Sequence, residues 1–236
     1  MEITEIIQDA LSYPIHNIKA FIVYMILGII LGIAIAGTVG AIYASTAINN
    51  ALAALGSGII GVVIALFIAF IITGYELDIV KYGIDRNDGA PGIDIVRQFI
   101  NGVKLFAVEI VYFIIPIIIT AILAIIFQHW VSVLIAIILG IVFGLAAFMA
   151  QCRLAKTEDI GYALSIMDAI DDISRVGFVK LLLVLIILFL IAFILYYIGG
   201  LISQWNPTVG GIIIGIVGVY ITFFSARAAG LLYSDV

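Results

Sequence analysis

Charge, cysteine and histidine are all scarce in this chain. Of its 236 residues, 11% are Asp, Glu, Lys or Arg, where a soluble domain carries roughly 25%. Water-soluble globular classes are thereby excluded. The single cysteine, Cys152, leaves no intrachain disulfide to form and gives a thiolate metal site too few ligands. The only histidines are His16 and His129. There is no HExxH, GxSxG or phosphate-binding loop and no pair of carboxylates inside the apolar runs, so the chain shows no catalytic group. No enzyme activity, cofactor or metal is expected, and no nucleic-acid partner. Segments of alternating polar and apolar residues, the mark of a membrane β-barrel, are missing as well.

What the chain has in abundance is apolar surface: 65% of residues are hydrophobic and the mean hydropathy is +1.35. A hydrocarbon core of about 30 Å needs about 20 apolar residues in a helix. The sequence divides into six such runs, at 18–45, 52–75, 104–127, 131–153, 178–199 and 208–231. The expected fold is an all-α, six-span transmembrane bundle in one membrane domain, residues 1–236. The opening segment carries Glu2, Glu5 and Asp9 in place of a basic leader, so the first run reads as a retained span and not a cleaved signal peptide.

The ten basic residues stand at 19, 81, 86, 97, 104, 153, 156, 175, 180 and 227. With the N-terminus inside, all fall on one side, while the opposite connections "STAINNA", "QHW" and "GGLISQWNPT" hold none. The excess of positive charge marks the cytoplasmic side, so both termini are expected in the cytoplasm of a cell (plasma) membrane. Trp130 and Trp205 then lie at the outer boundary, where a half-solvated indole is favoured.

The charged stretch "TGYELDIVKYGIDRNDGAPG", residues 73–92, thus opens a cytoplasmic loop. Its centre is turn chemistry, since Asp and Asn bond their own backbone and Pro91 cannot continue a helix. A calcium-loop reading fails because Gly89 comes one residue too early after Asp85 and no Glu follows in place. After this loop, "GIDIVRQFINGVKLF" repeats Ile93, Val96, Phe99, Ile100 and Val103 at helical spacing, with Asp94, Arg97, Gln98 and Asn101 on the other face. The second loop has a counterpart: Ala163, Ile166, Met167, Ile170 and Ile173 oppose Asp168, Asp171, Asp172 and Arg175.

Each loop region, 76–104 and 153–180, holds four basic and five acidic residues. The pattern suggests a parallel internal repeat, 52–127 and 131–199, with 208–231 as a last span. An interfacial helix at 1–15 makes a third amphipathic element on the inner face. These helices either dock a partner or pack beneath the bundle. The acidic residues of the second read as a solvated face with local ion pairs.

Small residues repeat every four positions at Gly28, Gly32, Ala36 and Gly40, again at Gly61, Ala65, Ala69 and Thr73, and as the pairs Gly140/Gly144 and Gly211/Gly215. Such stripes let helix backbones approach closely in lipid, within one chain or between copies.

Glu109 is the carboxylate that stands out within a span, five residues past Lys104. An unpaired charge there is unfavourable by up to ~3 kcal/mol, so it either finds a partner or binds a proton or cation. Counted from the outer boundary, Glu109 is 19 residues from Gln128 and Arg227 is 20 from Pro207, a shared depth. This predicts a Glu109–Arg227 ion pair, with an ion site at Glu109 as the functional alternative. Tyr112 and Pro116 follow on the same helix, where Pro116 is expected to kink it and could border a path.

From Gly74 onward the chain resembles a family of uncharacterised polytopic membrane proteins, mainly from archaea and methanogens especially, grouped as a domain of unknown function. The likeness rests on Gly74-Tyr75, Pro91, Gly102, Tyr112 and Pro116 in "YFIIP", and Arg153 with Ala155 in "RLA". Pro91 departs from the pattern in being followed by Gly-Ile. The resemblance implies a six-helix archaeal plasma-membrane protein and brings no substrate. The arrangement is also similar to the membrane domain beside some glycerophosphodiester phosphodiesterases, whose hydrolytic residues are absent. The function expected is a non-enzymatic accessory or scaffold subunit; its partners would be the lipid bilayer and a membrane or cytoplasmic protein, with self-association left open. The alternative is a small-solute or ion transporter using Glu109.

Overall fold

The computed structural model describes residues 1–126 and 129–236, which form nine helices. They are α1 (Ile3–His16), α2 (Ile18–Ala47), α3 (Ala51–Ile84), α4 (Ile95–Ile126), α5 (His129–Thr157), α6 (Ile160–Ala163), α7 (Ile166–Val176), α8 (Phe178–Trp205) and α9 (Pro207–Tyr233). Six of them, α2 to α5, α8 and α9, are long and apolar enough to cross a membrane. The expected connection "QHW" begins at Gln128, which with Phe127 lies outside the described residues.

Two helices extend well beyond the apolar runs. α3 continues through Glu76, Asp78 and Lys81 to Ile84. α4 starts at Ile95, so the first amphipathic segment is the opening turns of a span and not a separate interfacial helix. The second segment does stay separate. Gly177, with φ of 94°, turns the chain between α7 and α8 through a conformation that favours glycine.

α3 is the axis of the bundle, packing on α2, α4, α5 and α9. Its crossings are made by glycines. A Cβ at Gly74 would stand 1.8 Å from the Gln98 carbonyl oxygen, and one at Gly102 would stand 2.0 Å from that of Phe70, so α3 and α4 touch backbone to backbone. Gly230 meets the Val80 carbonyl in the same way, fixing α9 against α3 at Gly83. Gly74 and Gly83 are nine residues apart, about half a turn net at 3.6 residues per turn, so α4 and α9 pack on opposite faces of α3.

The stripes noted in the sequence contribute less. Gly61 does pack against Thr38 of α2, but Gly28, Gly32, Gly40, Gly140, Gly144, Gly211 and Gly215 have open space beside them. The two halves of the suggested repeat also pack differently: α3 lies directly on α4, whereas α5 packs on α4 and α7, and α8 packs on α9.

The core gathers at the charged end. Phe223 of α9 is its aromatic hub, in ring contact with Tyr13, Phe21, Tyr24 and Tyr75 from α1, α2 and α3. Toward the other end neighbouring spans stay paired, as at Gly61 on Thr38 and Gly210 on Ser203, but little is enclosed, and only 11–22% of each span's apolar window is buried. Those surfaces meet lipid, where apolar contact between helices gains no hydrophobic drive.

Gly102→Ala is therefore expected to lower thermal stability in detergent by at least ~1–3 kcal/mol, because the methyl must push backbone and not a side chain. Gly140→Ala, with nothing near its Cβ, should leave the unfolding temperature unchanged. Equal effects of the two would contradict this packing.

Candidate functional site at the charged end

Three arginines organise the charged end: Arg153 and Arg227 are buried and Arg97 is half-buried, and each guanidinium has carboxylate partners. Arg97 forms a two-pronged pair with Asp78, Nη1 to Oδ1 at 2.7 Å and Nη2 to Oδ2 at 2.8 Å, while Gln98 Nε2 donates to the same carboxylate at 2.9 Å. Asp78 is only 3% exposed. Parallel N–H groups match a carboxylate in both distance and direction, which fixes α4 in register on α3.

Arg153 of α5 does the same for the second loop. It donates from Nη1 to Asp172 Oδ2 at 2.8 Å, from Nη2 to Asp168 Oδ2 at 3.1 Å and from Nε to the Tyr162 carbonyl at 3.0 Å. Its guanidinium also stacks 3.8 Å from the Tyr162 ring centroid. Tyr233 of α9 donates its hydroxyl to Asp172 at 2.6 Å. The acidic face of α7 is thus only partly solvated: Asp171 points out, while Asp172 is buried and Asp168 is turned to Arg153.

Arg227 of α9 binds Asp9 of α1, Nε to Oδ1 at 2.7 Å, and Asp88 of the first loop, Nη2 to Oδ1 at 2.6 Å. It also donates to the Asn87 carbonyl at 2.6 Å. The 85–92 turn is consequently exposed yet stitched down. Asn87 Oδ1 accepts the Gly89 N–H as turn chemistry predicts, the Tyr13 hydroxyl donates to the Gly89 carbonyl at 2.9 Å, and the Tyr75 hydroxyl donates to that of Pro91 at 3.3 Å. Burial pushes the Tyr13 hydroxyl well above the usual tyrosine range, so it stays a donor at neutral pH.

These contacts overturn the expected Glu109–Arg227 pair. Arg227 is fully engaged with α1 and the first loop, and α4 lies across α3 from α9. Counting residues from the outer boundary compared positions along two separate helices and carried no information on where each helix stands around the bundle. Glu109 is exposed on α4 and takes part in no hydrogen bond or ion pair among the described residues. Tyr112, by contrast, is wholly buried and donates to the Ala163 carbonyl of α6 at 3.0 Å. Pro116 is inside a continuous α4 and lines a cleft of about 440 Å³ with Ala136 and Gly140 of α5. That cleft is apolar and is not lined by Glu109.

Glu158 joins the two loops. It stands just past α5 with φ of 56°, a left-handed conformation unfavourable for a residue with a Cβ. Its carboxylate takes Lys81 Nζ at 2.8 Å and Arg97 Nη1 at 3.5 Å, and its carbonyl takes Lys104 Nζ at 2.6 Å. The hydrogen bond from Lys81 holds this carboxyl below the usual range against the opposing effect of burial, helped by the charges of Lys81, Arg97 and Lys104.

With Gln98 and Asn101 drawn inward, most of the apolar side at the start of α4 faces out, while Phe99 packs on Phe67 and Phe70 and Asp94 stays exposed. Gln98, Asn101 and Gly102 are buried, while Ile93, Ile95, Val96 and Ile100 are 56%, 54%, 70% and 47% exposed. Periodicity found the helix and both its faces, but not which face turned inward.

Six apolar helices around a polar, arginine-clamped end define a multi-pass α-helical membrane protein. A family model described as Protein of unknown function (DUF4013) matches residues 58–203, more than half of the chain, and the protein belongs to that family. No curated protein and no solved structure matches it. The matched residues contain the Asp78–Arg97 and Arg153–Asp172 clamps; Asp9 and Arg227 lie outside them. Of the residues that carried the resemblance, Gly74 and Gly102 make the α3–α4 crossing, Tyr75 and Pro91 bond each other, Arg153 is the second clamp and Ala155 is buried beside it in α5.

Asp172→Ala leaves the Arg153 guanidinium buried with its main partner gone, and is expected to destabilise the protein by about 3–5 kcal/mol. An unfolding temperature equal to wild type would contradict the clamp. For Glu158, a lowered folded pKa means its stabilisation is complete above the ordinary glutamate value of about 4.3 and is lost as pH falls through the folded value. The stability gap between wild type and Glu158→Gln should therefore be present at pH 7 and close in acid; a gap independent of pH would contradict the assignment.

Proposed function

We propose that the protein is a non-enzymatic accessory or scaffold subunit of the cell membrane, with both termini in the cytoplasm, that docks a partner or lipid at its cytoplasmic face. On the resemblance to archaeal proteins, we read that membrane as an archaeal plasma membrane. The supporting observation is the reversed helix at the start of α4. At 1.5 Å per residue the 32 residues of α4 extend about 48 Å, against about 30 Å of hydrocarbon. Exposed Trp130 and Trp205 mark the far interface, close to the outer end of α4. About 18 Å then remains at the charged end, enough to carry Ile95, Val96 and Ile100 out of the hydrocarbon with their apolar side uncovered. An apolar face on the solvent side of a membrane protein is a docking surface for a complementary apolar face.

The alternative, a small-solute or ion transporter using Glu109, has weaker support. Glu109 does not line the cleft of about 440 Å³ beside Pro116, nor the cleft of about 610 Å³ between α2 and α9, and both are lined by apolar and small residues.

The test is mass spectrometry of what co-purifies from the native membrane in mild detergent with wild type and with a Val96→Ser/Ile100→Ser double variant. A stoichiometric partner that disappears in the variant, at unchanged unfolding temperature, is the expected result. A partner retained by the variant, or lipid alone with both proteins, would contradict docking through this face and return attention to solute flux in Glu109→Gln.

A further inference from the structure

Three cations converge on Glu158 from outside its own helix: Lys81 of α3, and Arg97 and Lys104 of α4. The cluster is open to the surface, with side-chain exposures of 37% for Lys81, 35% for Arg97 and 32% for Glu158. Its members are unequally satisfied. Arg97 already has Asp78 as a two-pronged partner, and Lys81 has the Glu158 carboxylate. Lys104 is half-buried and has three donor protons, yet its one hydrogen bond among the described residues goes to a neutral carbonyl. Glu158 itself is fixed at the end of α5 by its left-handed backbone and its N–H bond to the Leu154 carbonyl, so its carboxylate can leave without moving the main chain. The Glu158 carboxylate thus occupies the position an external anion would take.

We propose that Lys81, Lys104 and Arg97 form a phosphate-binding site in which Glu158 is the intramolecular stand-in, displaced when a phosphate group arrives. A phosphate spreads its acceptor oxygens over a tetrahedron where a carboxylate is planar, and can satisfy Lys81 and Lys104 together without disturbing the Asp78–Arg97 clamp. By the helix arithmetic above, Lys104 stands near the edge of the hydrocarbon, at the level of lipid headgroups. The same chemistry is carried by an anionic phospholipid and by free phosphate. The inference does not depend on a protein docking at Val96 and Ile100.

The test uses the full-length protein, wild type, Lys104→Gln and Glu158→Gln. Native mass spectrometry from micelles counts retained phosphatidylglycerol against phosphatidylcholine, and a calorimetric titration with inorganic phosphate forms the second arm. Expected is preferential retention of phosphatidylglycerol, about fivefold weaker in Lys104→Gln and stronger in Glu158→Gln, where the competing charge is gone. Phosphate binding with the same order of variants but no lipid preference assigns the site to a soluble anion. Retention that ignores headgroup charge, together with no phosphate binding, overturns the site, as does binding unaffected by Lys104→Gln. Unchanged elution and unfolding temperature of Lys104→Gln exclude misfolding as the cause, and Val96→Ser/Ile100→Ser should bind like wild type.

Discussion

Everything at the charged end follows from the need to satisfy three guanidiniums close to a membrane. Arginine does not give up its proton, so a buried arginine must be met by carboxylates and carbonyls in fixed directions. Arg97, Arg153 and Arg227 take their partners from α3, α7 and α1 with the first loop, respectively. In lipid the spans gain little by touching one another, so these clamps and the glycine crossings of α3 hold the helices in one arrangement. The low burial toward the other end is the counterpart: no comparable polar network is present there among the described residues.

The clamps also decide which way the loop helices face. Asp78 and Arg97 are nineteen residues apart, and so are Arg153 and Asp172, but acid and base are exchanged. In the first loop the base is on the amphipathic helix, together with Gln98 and Asn101, so the polar side is pulled in and Ile93, Val96 and Ile100 are left outside. In the second loop the buried arginine belongs to a span, and α7 buries only Asp172 of its acidic residues, alongside Ala169, Ile173 and Val176, while Asp168 reaches Arg153 from an exposed position. Two segments of similar pattern therefore present opposite surfaces.

The number of spans was legible because runs of about 20 apolar residues have one physical explanation. The extension of α3 through Glu76, Asp78 and Lys81 was not, since charge looked like the end of a span when it was continuing helix, with Asp78 and Lys81 held by partners from other elements. The candidate site was legible in parts. Gly74, Gly102, Tyr75, Tyr112 and Arg153 were singled out and all make structural contacts. Arg227 was singled out only as a partner for Glu109; its actual carboxylate, Asp9, is 218 positions away and no helical period could connect them. Glu158 was not identified. Its one signal was a charged residue just past a span, and the convergence of Lys81, Arg97 and Lys104 arises only when α3, α4 and α5 come together.

The orientation of the opening turns of α4 is the claim on which the rest turns, and cysteine labelling tests it most directly. In sealed vesicles of both orientations, with the native Cys152 buried and silent, a membrane-impermeant maleimide would be applied to Val96→Cys and separately to Asn101→Cys. The account predicts fast labelling of Val96→Cys from the charged side only and protection of Asn101→Cys. Labelling of Asn101→Cys with protection of Val96→Cys, or protection of both, would contradict it.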